Sequence, residues 1–236
     1  MVLCVAQSKE GSLKLQNFMK TTTSQIKSKR YIRKRTLLPS LVLVSIFMSQ
    51  VESINVEDGR VFKRQISSYI AGYNPNVNWM EREDLVEAIL SESKRLEIPK
   101  TIKIDGKPVN KVHFLTALIQ VESSFTRSAI SRSDARGYMQ LMPATVNWMD
   151  GLYGTYTPQS MLFHGRTNIS RGVTYLNMLV RDMGDLRLVC LSYNAGPNAV
   201  RQGFYMEEYW TRILAAYRML EKNQYPGVQP ATAIRL

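Results

Sequence analysis

Between Glu81 and Asn223 apolar residues recur at helical spacing, segment after segment, with Gly or Pro between segments. A period near 3.6 gathers such residues on one side of a helix, whereas half-buried strands alternate strictly. The chain is therefore expected to be mainly α. Glu81–Leu96 is the plainest segment. Leu85, Ile89 and Leu96 fall on one stripe, with Val86 and Leu90 beside it. Acids crowd its first turn and Lys94 and Arg95 its last, as the helix dipole favours. Pro99 marks its stop. Val112–Glu122, Ala144–Tyr153 behind Pro143, Asn168–Met183, Leu186–Ala195 and Tyr209–Asn223 read the same way. Gly184 and Asp185 break one pair of helices, and Gly196 with Pro197 ends the next. Only Thr101–Val109 alternates, with Ile102 and Ile104 set among lysines before Asp105 and Gly106. That pattern predicts one small β-hairpin, which Pro108 weakens.

Outside this body, residues 54–80 read as a loose lead-in with a short helix near Gln65–Ala71 and a turn at Asn74-Pro75-Asn76. Residues 225–236, with Pro226, Gly227 and Pro230, read as a flexible tail. The domain proper is expected over 81–224. The net charge of +12 is uneven: residues 1–53 hold +7 and the remainder +5. Lys27–Arg35 is a basic block, Leu37–Met48 an apolar run without charge, and Val51-Glu52-Ser53 offers a cleavage point. This is the order of an export signal peptide. An uncleaved N-terminal anchor is the alternative, and it would be the only membrane contact. Met19 is a second candidate start. No aromatic-and-basic stripe points to nucleic acid. Of the two cysteines, Cys4 lies in the leader and Cys190 sits among Leu188, Val189 and Leu191, so a buried inert thiol is expected. The histidines, His113 and His164, fall in no nucleophile or metal-ligand spacing, and no Gly-rich phosphate loop is present.

Glu122 closes the apolar stretch Ala117–Val121. An apolar setting disfavours the ionised carboxylate and raises its pKa. A carboxyl still protonated near neutrality is what a general acid needs to break a glycosidic bond. Helix capping is the bland alternative. Downstream stand Gly137-Tyr138-Met139-Gln140-Leu141-Met142-Pro143, then Asn168-Ile169 with Gly172 and Tyr175-Leu176, then Tyr193-Asn194-Ala195-Gly196-Pro197.

On these four motifs in order, Leu85–Tyr217 resembles the catalytic domain of soluble lytic transglycosylases, in the lysozyme-like superfamily. The resemblance implies a lysozyme-like helical domain acting on peptidoglycan. Glu122 would protonate the oxygen between N-acetylmuramic acid and N-acetylglucosamine. It would then take the proton of the muramic acid 6-hydroxyl, which closes on C1 to a 1,6-anhydro end. Tyr193 matches a tyrosine whose hydroxyl bonds the catalytic carboxyl. Ser131, Gln140 and Met142 match groove residues near the glycan. Asn194 is expected to line the groove or orient its turn, and Ser123 to shape the end of the Glu122 helix. No metal or organic cofactor is implied. Local wall opening for an envelope-spanning secretion or motility assembly is the wider expectation, with location in the periplasm or envelope.

The chain departs from the family pattern at Asp134, Tyr138, Cys190 and Ser192. Asp134 matters most, because a second carboxylate beside Glu122 would permit water-activating hydrolysis. A goose-type lysozyme is therefore one alternative, and a non-catalytic wall-binding component is another.

Overall fold

The computed structural model describes Val44 and residues 59–224. Apart from Val44, the leader, its cleavage point and the tail lie outside the described residues. The chain divides into units 1–57 and 58–236, and the helical body is the second of these.

The expectation of a mainly α fold with a single hairpin is met. Helix α1 covers residues 59–73. It is followed by α2 (Trp79–Ser93) and a hairpin of β1 (Lys103–Ile104) and β2 (Lys107–Pro108). Then come α3 (Lys111–Ser123), α4 (Pro143–Tyr153), a 3-10 turn (Gln159–Phe163), α5 (Gly165–Met183), α6 (Leu186–Ala195), α7 (Pro197–Arg201) and α8 (Glu207–Glu221). The strands pair antiparallel, Lys103 with Pro108 and Ile104 with Lys107. Asp105 and Gly106 both take positive φ at the turn, 51° and 79°, the geometry that Asp-Gly favours.

Helix α3 runs through the centre. Every residue from His113 to Ile119 is buried. It packs on α8 and α2, while α2 also meets α5 and α5 meets α6. The Asn110 side chain caps its start, accepting from the backbone N–H of Val112 and His113. That satisfies donors the helix cannot pair itself.

Two expectations change. Within the lead-in, the short helix expected near Gln65–Ala71 is longer, over residues 59–73, and Ile66, Tyr69 and Ile70 on it lie in the core at 0% exposure. Tyr69 hydrogen-bonds the Gln120 side chain on α3, and Gln65 donates to the Leu220 carbonyl at 2.7 Å. His113 joins the same seam, with Nδ1 on the Glu221 carboxylate and Nε2 3.0 Å from Gln65 Oε1. Second, α2 stops at Ser93, so Lys94 and Arg95 lie beyond its last turn. Arg95 instead pairs with Glu92 at 2.7 Å.

Candidate active site

Glu122 sits one residue from the end of α3. The helix stops there because Ser124 turns left-handed (φ 50°) and sends its N–H back to the Gln120 carbonyl. Phe125 follows, also left-handed at φ 61°. For a bulky residue this conformation is strained and needs support from its surroundings. The support is visible. Phe125 is fully buried with its ring edge-on to Tyr69, and Asn74 Nδ2 donates to the Ser124 carbonyl at 3.0 Å. Ser123 Oγ donates to the Tyr138 carbonyl at 2.8 Å, fastening the motif loop to the end of the Glu122 helix.

That loop is built on α5. The Asn168 side chain, fully buried, accepts from Met139 N at 2.8 Å and donates to the Arg136 and Leu162 carbonyls at 2.9 and 2.8 Å. Gly137 takes φ 75°, and a Cβ there would lie 2.3 Å from the Leu162 carbonyl oxygen and 2.5 Å from Asn168 Nδ2. Only glycine fits that close approach. Gly172 makes room in the same way for Met139, whose Sδ would be 2.3 Å from an added Cβ. Tyr138, where the family pattern has a smaller side chain, reaches across to α2 and donates to Glu81 Oε1 at 2.7 Å.

The electrostatics centre on Glu122. The residue keeps partial solvent contact, but protein closely surrounds its carboxyl. Burial pushes its pKa up from 4.5 to about 7, and a hydrogen bond from Tyr209 and the charge of Arg212 hold it back in part. Tyr209 donates its hydroxyl to Glu122 Oε1. Arg212, one turn further along α8, lies 3.4 Å from the Val121 carbonyl. The groups acting on Glu122 are thus a phenol and a guanidinium. Burial pushes the Tyr193 phenol well up, with the Glu122 charge adding to it, so these side chains are neighbours. Cys190 is buried and its thiol is raised, first by burial and then by Asp185 and Glu122.

Gln140, Met142, Tyr193 and Asn194 come together, lining one groove of about 230 Å³ with Thr145 and Tyr175. Met142 is 37% exposed there. Gln140 holds φ 46° and commits its Nε2 to the Ala129 and Gly137 carbonyls, so Oε1 is the atom left for a ligand. Tyr193 departs from expectation. Its hydroxyl donates to the Met139 carbonyl at 2.8 Å, and Tyr209 is the tyrosine on the carboxyl. The Ser131 hydroxyl accepts from the backbone N–H of Ser133 and Ala135, at 3.2 and 3.0 Å, and shapes its own loop. Asp134 is held bidentately by Arg136 at 2.8 and 2.9 Å and is half exposed. Among the described residues no group of three or more His, Cys, Asp or Glu is placed to hold a metal.

Tyr209 is the functional residue that sequence reasoning missed. A signal was present: with Ile213, Ala216, Tyr217 and Leu220 it forms the buried stripe of α8, and a phenol on an apolar stripe needs a partner.

The helical body thus holds the Glu122 carboxyl closely enclosed by protein, with a tyrosine on it and a groove lined by the motif residues near it. Residues 101–217, just under half of the chain, match the Transglycosylase SLT domain. It is 30% identical over 120 residues to the transglycosylase of Enterobacteria phage PRD1, covering 51% of this chain and 42% of that protein. It is 34% identical over 106 residues to membrane-bound lytic murein transglycosylase C of Yersinia pestis, covering 40% and 29%. The matched segments thus span less than half the length of these relatives. Among solved structures it is similar to the Pseudomonas aeruginosa lytic transglycosylase Slt, with TM-score 0.42, 22% identity, and coverage of 58% of this chain and 22% of that one.

Proposed function

We propose that the chain is an exported peptidoglycan lytic transglycosylase that cleaves the bond between N-acetylmuramic acid and N-acetylglucosamine and leaves 1,6-anhydro ends. The observation that carries this reading is the Glu122 carboxyl, raised to about 7 with no other carboxylate among the groups that act on it. A carboxyl half protonated near neutrality can give a proton to the bridging oxygen and then recover one. The proton it recovers comes from the muramic acid 6-hydroxyl, whose oxygen bonds to C1 as the bridging bond breaks. No water enters, so no second carboxylate is needed to activate one. Tyr209 holds Oε1 by its hydrogen bond and orients the carboxyl. Gln140, Met142, Tyr193 and Asn194 bind the glycan along their groove. Ser123 and Ser131 act by shaping the loops around it. The leader would export the domain to the periplasm or envelope, where an envelope-spanning assembly is a candidate partner.

Mass spectrometry of digested peptidoglycan tests the reaction. Wild type should release anhydro-muropeptides, and Glu122→Gln should lower that release by at least about a thousandfold. Reducing-end products would replace this reading with a hydrolase. Wall binding without release would replace it with a binding component.

A further inference from the structure

Beyond the groove beside Glu122 lies a second, larger cavity of about 510 Å³. Thr145 and Tyr175 line both, so the two are adjacent. Thr145 and Trp148 are one turn apart on α4, and Tyr175, Met178, Leu179 and Asp182 follow one face of α5, so the cleft runs between these helices. Trp148 is 51% exposed and contributes little to the core, yet it stands at the wall of the cleft. Asp182 at its rim is joined to Arg201, whose Nη2 lies 2.5 and 2.6 Å from the two carboxylate oxygens.

We propose that this cleft is a distal glycan subsite in which Trp148 stacks against the apolar face of an N-acetylated sugar, several rings away from the bond at Glu122. The inference rests on the peptidoglycan reading above. Three features select the occupant. Adjacency to the groove, through the shared walls Thr145 and Tyr175, puts it within reach of the next sugars of a bound strand. An amphipathic sugar ring matches an aromatic wall beside a few fixed polar groups. The carboxylate at the rim is already neutralised by Arg201, which suits an uncharged ring better than an anionic stem peptide. The cleft volume lies within the range of roughly 300–1,000 Å³ usual for ligand sites.

The test uses the full chain carrying Glu122→Gln, which binds without turnover, and a six-unit N-acetylglucosamine oligomer followed by calorimetry. Adding Trp148→Ala should weaken binding roughly tenfold. Trp148→Phe should restore most of it, and Trp79→Ala, exposed on α2, should change nothing. In the active enzyme Trp148→Ala should raise KM for wall glycan about tenfold and hold kcat within about twofold, because the cleft does not touch the reacting bond. Unchanged oligomer affinity, or a fall in kcat at constant KM, overturns the subsite. So does self-association or protein capture that depends on Trp148 while glycan affinity does not. Wild-type release of anhydro-muropeptides with no Trp148 effect removes the subsite and leaves the function. Release that survives Glu122→Gln removes the function itself.

Discussion

Two opposed influences meet on the Glu122 carboxyl. Burial disfavours its ionised form, whereas the Tyr209 hydroxyl donates to that form and favours it. Removing the hydroxyl therefore raises the pKa further. In Tyr209→Phe the alkaline limb of kcat/KM, set near pH 7 in wild type by loss of the protonated acid, should move to higher pH. The maximum should fall about tenfold, because the carboxyl loses its orienting contact. A pH profile on isolated glycan strands measures both, and a limb that stays or moves down refutes the assignment. Glu122 itself was legible in the sequence, since an apolar helix ending in a carboxylate is a local pattern. The pairing of Tyr209 with it was not, because that contact crosses 87 positions and no local spacing encodes it. The Tyr193 hydroxyl shows the same limit in reverse. Its place beside the groove follows from the motif, but its partner, the Met139 carbonyl, depends on how the loop folds.

At the scale of elements, α5 decides where the motif loop stands. One Asn168 side chain satisfies one backbone donor and two backbone acceptors, on Met139, Arg136 and Leu162. Asn168→Ala leaves all three without that partner in a buried place. Each unpaired group costs about 1–3 kcal/mol, so a loss of roughly 3 kcal/mol or more is expected in urea unfolding. Asn168→Asp should also destabilise, because a carboxylate can still accept from Met139 but cannot donate to the two carbonyls. A loss under about 1 kcal/mol in both variants would show that the loop stands without α5. The helices α2 to α6 were legible because each carries its own apolar stripe and stop signals. Helix α1 is longer than its sequence suggests. Phe62, Ile66, Tyr69, Ile70 and Tyr73 do repeat at helical spacing, but charges at Arg60, Lys63 and Arg64 interrupt the segment. Its stability comes from tertiary packing against α3 and α8, which propensity alone does not reveal. Helix α7 was hidden for another reason: Gly196 and Pro197 stop α6, and the same proline opens the next short helix.

For the whole molecule, an acid kept protonated inside the fold has a consequence for stability. The carboxyl titrates near its ordinary 4.5 in the unfolded chain and near 7 in the folded one. Below the lower value both states carry the proton and the site exacts no penalty. As pH rises between the two, the unfolded chain releases a proton that the folded protein keeps, so folding weakens. Above pH 7 the loss is complete, at about 3 kcal/mol on the scale of 1.36 kcal/mol per pKa unit. Glu122→Gln removes this titration but keeps an amide oxygen to accept from Tyr209. The variant should match wild type near about pH 4 and exceed it by roughly 3 kcal/mol near about pH 8. Thermal melts at the two pH values measure the difference, expected as a Tm gain of about 6–12 °C at the higher one. Equal or lower stability of Glu122→Gln at the higher pH would mean that the folded carboxyl ionises near its ordinary range, and the general-acid role would lose its physical basis. The opposite outcome, an inactive protein that grows more stable than its parent as pH rises above about 4.5, would place the energetic burden of the site on the one group that performs the chemistry.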